Sequence, residues 1–200
     1  MRLHPPHFDV TMSPHMLRKL WTYACAAEGE ISAIGEISID GPLITVTDNI
    51  HLLKQDGTGG STRLDMGAFA ELCADYQATG KDPGSLRFWI HTHPHMSAFF
   101  SGIDDSTIEK LATMMDHPIV AACFNTDGDT MWRIVDGDAQ VDLTYKIPGK
   151  YPTRQEMDVV LPEIKGKVAH NEFFGGRFKY GWRGGKYKTY GSKVQGGWNF

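Results

Sequence analysis

The chain has 200 residues and a net charge of −4, so it has room for one domain with an extension and is not a generic nucleic-acid binder. Hydrophobic residues make up 41% of it and aromatic residues 11%, which is enough for a well-packed core. It has no run of about 18 apolar residues and no apolar signal segment at its start, so we expect neither a membrane span nor secretion.

The predicted elements follow from periodicity, caps and turn residues, and their order is typical of an α/β fold. In the first half we expect a strand over 7–12, a helix capped by Ser13 that Gly29 ends, strands over 31–40 and 43–53, a glycine-rich loop over 55–62, a helix over 66–79 capped by Asp65, and a strand over 86–91. The second half predicts a helix from Asp104 or Asp105 to about 114, strands over 118–125, 130–135 and 139–147, and a last helix over 153–170 that Pro162 would kink or end.

The composition changes near the C-terminus. Residues 166–200 contain seven Lys or Arg, one acid, nine glycines and nine aromatic residues, a net charge of +6, so the first 165 residues carry −10. We therefore expect a main domain over 1–150, a linker or short helix over 151–165, and a basic Gly/aromatic-rich tail over 166–200.

The three cysteines are Cys25, Cys73 and Cys123, which lie far apart in apolar stretches and form no CxxC pair. They do not form a disulfide framework. This pattern indicates buried free thiols and therefore a reducing, cytoplasmic compartment.

The segment RFWIHTHPHM is the strongest chemical signal in the chain. His91 and His93 are two apart on a predicted strand, so both side chains point to one face, and Pro94 ends that strand. A loop then leads to Asp104 at a helix start, from which a carboxylate can turn back toward the histidines. Two histidines and a carboxylate, with a fourth position left for water, are the ligands of a catalytic zinc. Zinc would lower the pKa of that water from about 15.7 to roughly 7.

Peptide cleavage also needs a proton carrier, because the amine leaving group must be protonated before it departs. The carrier would be a Glu or Asp within one hydrogen bond of the water. The chain has 24 acidic residues, and spacing alone does not choose among them.

The spacing of the histidine segment resembles a known signature. His91, His93 and Pro94, then six residues, Ser101, two residues and Asp104 are similar to the motif of the JAMM (MPN+) zinc metalloproteases. The order of predicted elements over about 7–147 is also that of the family. The resemblance implies a mixed, curved β-sheet flanked by helices, with cytidine-deaminase-like layering.

The family also carries a Glu at the start of the strand that follows the first helix, and Glu30 stands at that point here. One departure is Ala33, where the family usually has a glycine three residues after the Glu. The resemblance implies that Glu30 is the general acid/base and that Ser101 hydrogen-bonds the oxyanion, where one donor is worth about 3 kcal/mol. It implies that His91, His93 and Asp104 bind Zn²⁺.

Several roles have alternatives. Glu28 and Glu36 could replace the proposed acid/base, and Asp105 could replace the carboxylate ligand. Ser101 could serve only as the cap of the following helix. His95, at an odd offset in the strand pattern, is expected to be a surface or loop residue.

The resemblance implies a cytoplasmic zinc metallopeptidase that hydrolyses a peptide or isopeptide bond, with a ubiquitin-like protein as a candidate substrate. The compact length is more typical of the family's prokaryotic or phage members. The alternatives are a non-catalytic scaffold of the same fold, another metal hydrolase, and a protein that acts through its basic aromatic tail. That tail suits an acidic protein surface or single-stranded nucleic acid. The oligomeric state is not predicted.

Overall fold

A curled, mixed β-sheet of seven strands forms the centre of the molecule, in a computed structural model that describes residues 8–115 and 118–170. The described residues form strands β1 (Asp9–Met12), β2 (Ser32–Asp40), β3 (Leu43–Leu52), β4 (Gln55–Gly57), β5 (Thr62–Leu64), β6 (Phe88–His93), β7 (Ile119–Asn125), β8 (Asp129–Asp136), β9 (Ala139–Lys146) and β10 (Val168–His170). The large sheet has the order β1-β3-β2-β6-β7-β8-β9. Its β1–β3 and β6–β7 pairs are parallel and its other pairs are antiparallel.

Helices lie on both faces of this sheet. They are α1 (Pro14–Ala26), α2 (Met66–Ala78), α3 (Gly102–Met114) and α4 (Arg154–Lys167), with a short 3-10 helix over Pro83–Ser85. Buried residues of α1 and α4 share one apolar cluster with one side of the sheet, whereas those of α2 and α3 share a second cluster with the other side. The predicted mixed, curved sheet flanked by helices is therefore confirmed.

Strand β6 is buried along its whole length, and its side chains alternate between the two clusters. Phe88 and Ile90 belong to the α1 side, while Trp89 belongs to the α2 and α3 side. Because His91 and His93 continue the alternation from Trp89, both histidines face the side on which α3 begins. The strand reaches His93, two residues beyond the predicted end.

The predicted glycine-rich loop over 55–62 is wrong in its secondary structure. Strands β4 and β5 form an antiparallel hairpin across this segment, and β10 pairs with β4 in parallel to make a separate three-stranded sheet. The hairpin is anchored by a polar side chain, Gln55, which is only 2% exposed. An apolar pattern could not reveal this anchor.

Two helix boundaries also differ from the prediction. Helix α1 ends at Ala26 and is capped by Ala27, whose N–H donates to Tyr23 O, so the chain has left the helix before Gly29. Helix α3 begins at Gly102 with Ser101 as its N-cap, rather than at Asp104 or Asp105. Both acids then lie in its first turn.

Helix α4 begins after Thr153 as predicted and docks on α1. Its buried residues Val160 and Ile164 join the main core. Arg18 on α1 donates two hydrogen bonds to Glu156, at 2.7 and 2.9 Å, which together with Thr153 lower the pKa of Glu156 to about 2. The helix continues past Pro162, which is exposed, and stops at Lys167, where β10 follows.

The cysteines are free thiols, as expected, but only Cys123 is fully buried; Cys25 and Cys73 are partly exposed. None of the helices in the described part of the chain has both the length and the apolar character needed to span a bilayer. The predicted tail lies outside the described residues from 171 onward, so its roles stay predictions.

Candidate metal centre

His91 and His93 meet two carboxylates at the end of β6. Both histidines are 2% exposed, and their rings form an edge-to-face pair with centroids 4.8 Å apart. The Nε2 atom of each ring faces Glu30 and Asp104. The sequence prediction that these two histidines share one face of a strand is thereby met in the fold.

Glu30 reaches the histidines from the segment that leads into β2, and it is 1% exposed. Its Oε2 lies 3.3 Å from His91 Nε2, and its Oε1 lies 3.8 Å from His93 Nε2. The two alternative acids are elsewhere. Glu28 is exposed, and Glu36 accepts hydrogen bonds from Asn49 and Tyr76 at the α2 side of the sheet.

Asp104 reaches the same place from the first turn of α3 and is 5% exposed. Its Oδ1 lies 3.4 Å from His91 Nε2, and its Oδ2 lies 3.9 Å from His93 Nε2. The neighbouring acid, Asp105, turns away and pairs with Arg133, which Asp142 also binds at 2.7 Å. The fold therefore brings Asp104, and not Asp105, to the histidines.

Glu30, His91 and His93 together form a buried group that could hold a metal ion, since their ligand atoms all lie within 4.8 Å of one another. The distance from His91 Nε2 to Asp104 is within 0.1 Å of its distance to Glu30, at 3.4 against 3.3 Å. The cluster thus has two imidazole nitrogens and two carboxylates around one point.

The hydrogen positions on the histidines follow from their outer contacts. His93 Nδ1 lies 2.9 Å from Ser97 O, and a carbonyl oxygen can only accept, so Nδ1 carries the hydrogen. This leaves His93 Nε2 as the ring atom that faces the carboxylates. His91 has a similar outer contact, in which Nδ1 lies 3.4 Å from Ser32 Oγ. Such outer hydrogen bonds are typical of metal-binding histidines, because they direct the free lone pair inward.

The inner distances are too long for direct hydrogen bonds, which need about 2.7–3.2 Å. They fit a shared cation instead. Zinc–nitrogen and zinc–oxygen bonds of about 2.0–2.2 Å in tetrahedral geometry place two ligand atoms about 3.4 Å apart. His91 Nε2 lies 3.3 Å from Glu30 and 3.4 Å from Asp104. Among the described residues, moreover, Glu30 Oε1 is buried without a hydrogen-bond partner. A divalent cation would offset the cost of burying two carboxylates together.

Ser101 forms a capping box with Asp104. Its N–H and its hydroxyl both donate to Asp104 Oδ2 at 2.7 Å, and its Oγ accepts from Asp104 N at 3.3 Å. The alternative role of Ser101 as a helix cap is therefore present in the structure. The same contacts fix the rotamer of Asp104, so the cap also orients a carboxylate of the site. The predicted oxyanion role stays a prediction.

Aromatic side chains surround the histidines. Trp89 stacks on His91 at 5.3 Å, and Phe99 meets the edge of His93 at 4.8 Å. Cys123, the register partner of His91 on β7, is completely buried, and its burial raises the pKa of its thiol. His95 is exposed, as predicted for a loop residue.

Sequence reasoning missed the residues that hold Glu30 in place. Thr92, between the two histidines, points to the opposite face, where its Oγ1 accepts from Ile31 N at 3.0 Å. Gln55 binds the main chain of Ser32 from the other side. A buried polar position inside β6 was the one available signal for Thr92. Gln55 gave none, because it precedes a run of polar and glycine residues.

A scan against protein-family models found no match, and a search of curated proteins found no relative. The geometry of the cluster is therefore what supports the proposed function.

Proposed function

We propose that this protein is a zinc-dependent hydrolase of the JAMM type that cleaves peptide or isopeptide bonds in a protein substrate. The observation that carries the proposal is the buried cluster itself: two inward Nε2 atoms and two carboxylates, spaced for a shared cation rather than for hydrogen bonds. The order of these residues along the chain is the one that the JAMM resemblance implies.

We assign His91, His93 and Asp104 as the zinc ligands. Both imidazoles are fixed from outside, by Ser32 and by Ser97. Asp104 is fixed through its Oδ2, which accepts two hydrogen bonds from Ser101, so its Oδ1 is directed at His91. Two imidazoles with a carboxylate suit zinc better than magnesium or calcium, which prefer oxygen ligands.

Glu30 is then the proton carrier. Its Oε1 has no hydrogen-bond partner among the described residues, so it is able to take up a proton and hand it on. Zinc in this site would supply a water molecule acidified to a pKa near 7 and a positive charge beside the scissile carbonyl. Glu30 lies close enough to both histidines to take the proton from a nucleophile held there and to deliver it to the departing amine.

The surroundings of the site favour a polypeptide substrate. Phe99, which contacts His93, is 41% exposed, and Met96 and Ile103 on the same connection are 38% and 65% exposed. Exposed apolar side chains beside a polar centre are typical of surfaces that bind another protein. The ubiquitin-like class of substrate rests on the resemblance alone.

Metal analysis tests the ligand assignment. Purified protein dialysed against zinc should contain about one zinc per chain, and His91→Ala should reduce that to near zero because a tetrahedral site loses one of three protein ligands. His95→Ala is the matched control, since His95 is exposed two residues beyond the site. Zinc that remains bound at full stoichiometry in His91→Ala would show that the site lies elsewhere.

Glu30→Gln separates the two carboxylates. This variant should keep its zinc, because the amide fills the same space, but should lose hydrolysis by a factor of about 10² or more. The probe is a quenched fluorescent peptide in which a C-terminal Gly-Gly is joined to a lysine side chain. Loss of zinc from Glu30→Gln would instead make Glu30 a ligand. Full zinc with no cleavage by the unaltered protein would favour the non-catalytic scaffold.

A further inference from the structure

The hairpin of β4 and β5 binds the short segment that carries Glu30. Gln55, its first residue, is 2% exposed, and its side-chain amide makes four hydrogen bonds. Oε1 accepts from Ser32 N at 2.7 Å and from Thr62 Oγ1 at 2.8 Å. Nε2 donates to Ser32 O at 2.7 Å and to Leu53 O at 2.9 Å. The amide therefore has every strong hydrogen-bonding position filled.

These contacts extend the large sheet by one residue. Strand β3 pairs with β2 from Asp40 back to Ala33, where its partner is Leu52. At the next residue, Ser32, the Gln55 amide takes both main-chain groups, as a neighbouring strand would. On the opposite edge Ser32 pairs with His91 in the β2–β6 register. Ser32 is thus fixed on both sides, and its Oγ faces His91 Nδ1.

The hairpin makes a second contact two residues earlier. The turn carbonyl of Thr58 accepts from Glu30 N at 2.9 Å, and Ser61 O in turn accepts from Thr58 N at 2.8 Å. The segment 30–32 is therefore held at both of its ends by one hairpin. Thr92 holds the middle of it from β6.

We propose that Gln55 is a positioning residue of the metal centre. By binding both main-chain groups of Ser32, it sets where the Glu30 carboxylate stands and how the outer nitrogen of His91 is held. Its importance for catalysis rests on the proposed function, whereas the holding of the segment is a property of the metal-free protein. Outer contacts of this kind change metal affinity or activity by about 10–100-fold when they are removed.

Gln55→Met tests the proposal, because methionine keeps the length of the side chain and removes all four hydrogen bonds. In the metal-free protein, the Ser32 amide should exchange its hydrogen about 10-fold faster or more, measured by NMR. The Kd for zinc should rise by about 10–100-fold. Gln77→Met on the exposed face of α2 is the matched control and should change neither quantity.

Thr62→Val is the second variant and covers the case in which Gln55→Met does not fold. It keeps Gln55 but removes the hydroxyl that binds Oε1, so both effects should appear in the same direction and be smaller. Unchanged Ser32 exchange and unchanged zinc Kd in the folded variants would overturn the proposal. Faster Ser32 exchange in a protein that binds no zinc in any form would overturn the proposed function and support the holding of the segment by Gln55.

Discussion

Ser101 has two roles that a single substitution would remove together. It caps α3, and it fixes Asp104 through the two hydrogen bonds to Oδ2. A matching cap exists at the start of α4, where Thr153 donates to Glu156 through its N–H at 2.7 Å and its hydroxyl at 2.8 Å. The second cap lies on a different helix and carries no residue of the metal centre, so it isolates the cost of capping.

Ser101→Ala should lower the free energy of unfolding by about 1 kcal/mol through loss of the cap. It should also weaken zinc binding by about 10-fold or more, since Asp104 loses a hydrogen bond that orients it. Thr153→Ala should give a comparable fall in Tm and leave the zinc Kd unchanged. Thermal unfolding with zinc titration of both variants measures the two effects. Equal zinc Kd values in the two variants would reduce Ser101 to a helix cap.

The residues of the centre were predictable because each sits at a position with a simple geometric rule. His91 and His93 are two apart on a strand, and Asp104 lies in a first helical turn, which an N-cap places with little freedom. Glu30 depended on the family resemblance, since 24 acids share its chemistry. Gln55 was beyond prediction, because its burial arises from a contact with Ser32, 23 residues earlier in the chain.

At the scale of elements, the seven strands of the large sheet and the four helices were anticipated, whereas the small sheet was not. β4, β5 and β10 have three residues each, which is too short for an alternating pattern to stand out. β10 also pairs with β4 across more than 100 residues of sequence, with Val168 opposite Gln55. Pairing at that range follows from the docking of α4 on α1, which places the chain beside the hairpin.

The pairing of β10 with β4 makes a truncation informative. A chain that ends at Lys167 lacks β10, while a chain that ends at His170 keeps it, and both lack the same tail. We expect the shorter chain to have a lower Tm and a zinc Kd about 10-fold higher or more, because Val168 leaves the core and the hairpin behind Glu30 loses its neighbouring strand. Identical Tm and Kd values for the two chains would show that β10 supports neither the core nor the hairpin.

At the scale of the molecule, the metal centre joins chain segments that only the complete fold brings together. Glu30 precedes β2, His91 and His93 end β6, and Asp104 begins α3. In the unfolded chain these groups are separated by up to 74 positions, from 30 to 104. A metal ion that needs all of them should bind the native state and not the unfolded one, and it should therefore stabilise the whole domain.

Thermal unfolding with and without zinc tests this coupling. At a free zinc concentration about 1,000 times its Kd, the native state should gain about 4 kcal/mol, which for a chain of this size raises Tm by about 8–16 °C. The gain should be larger than for an exposed site, because zinc also compensates the two carboxylates, Glu30 and Asp104, which are 1% and 5% exposed. Magnesium should have little effect, since two of the ligands are imidazoles. His91→Ala should lose most of the zinc-dependent rise, and an equal rise in that variant would mean that zinc acts at another place on the protein.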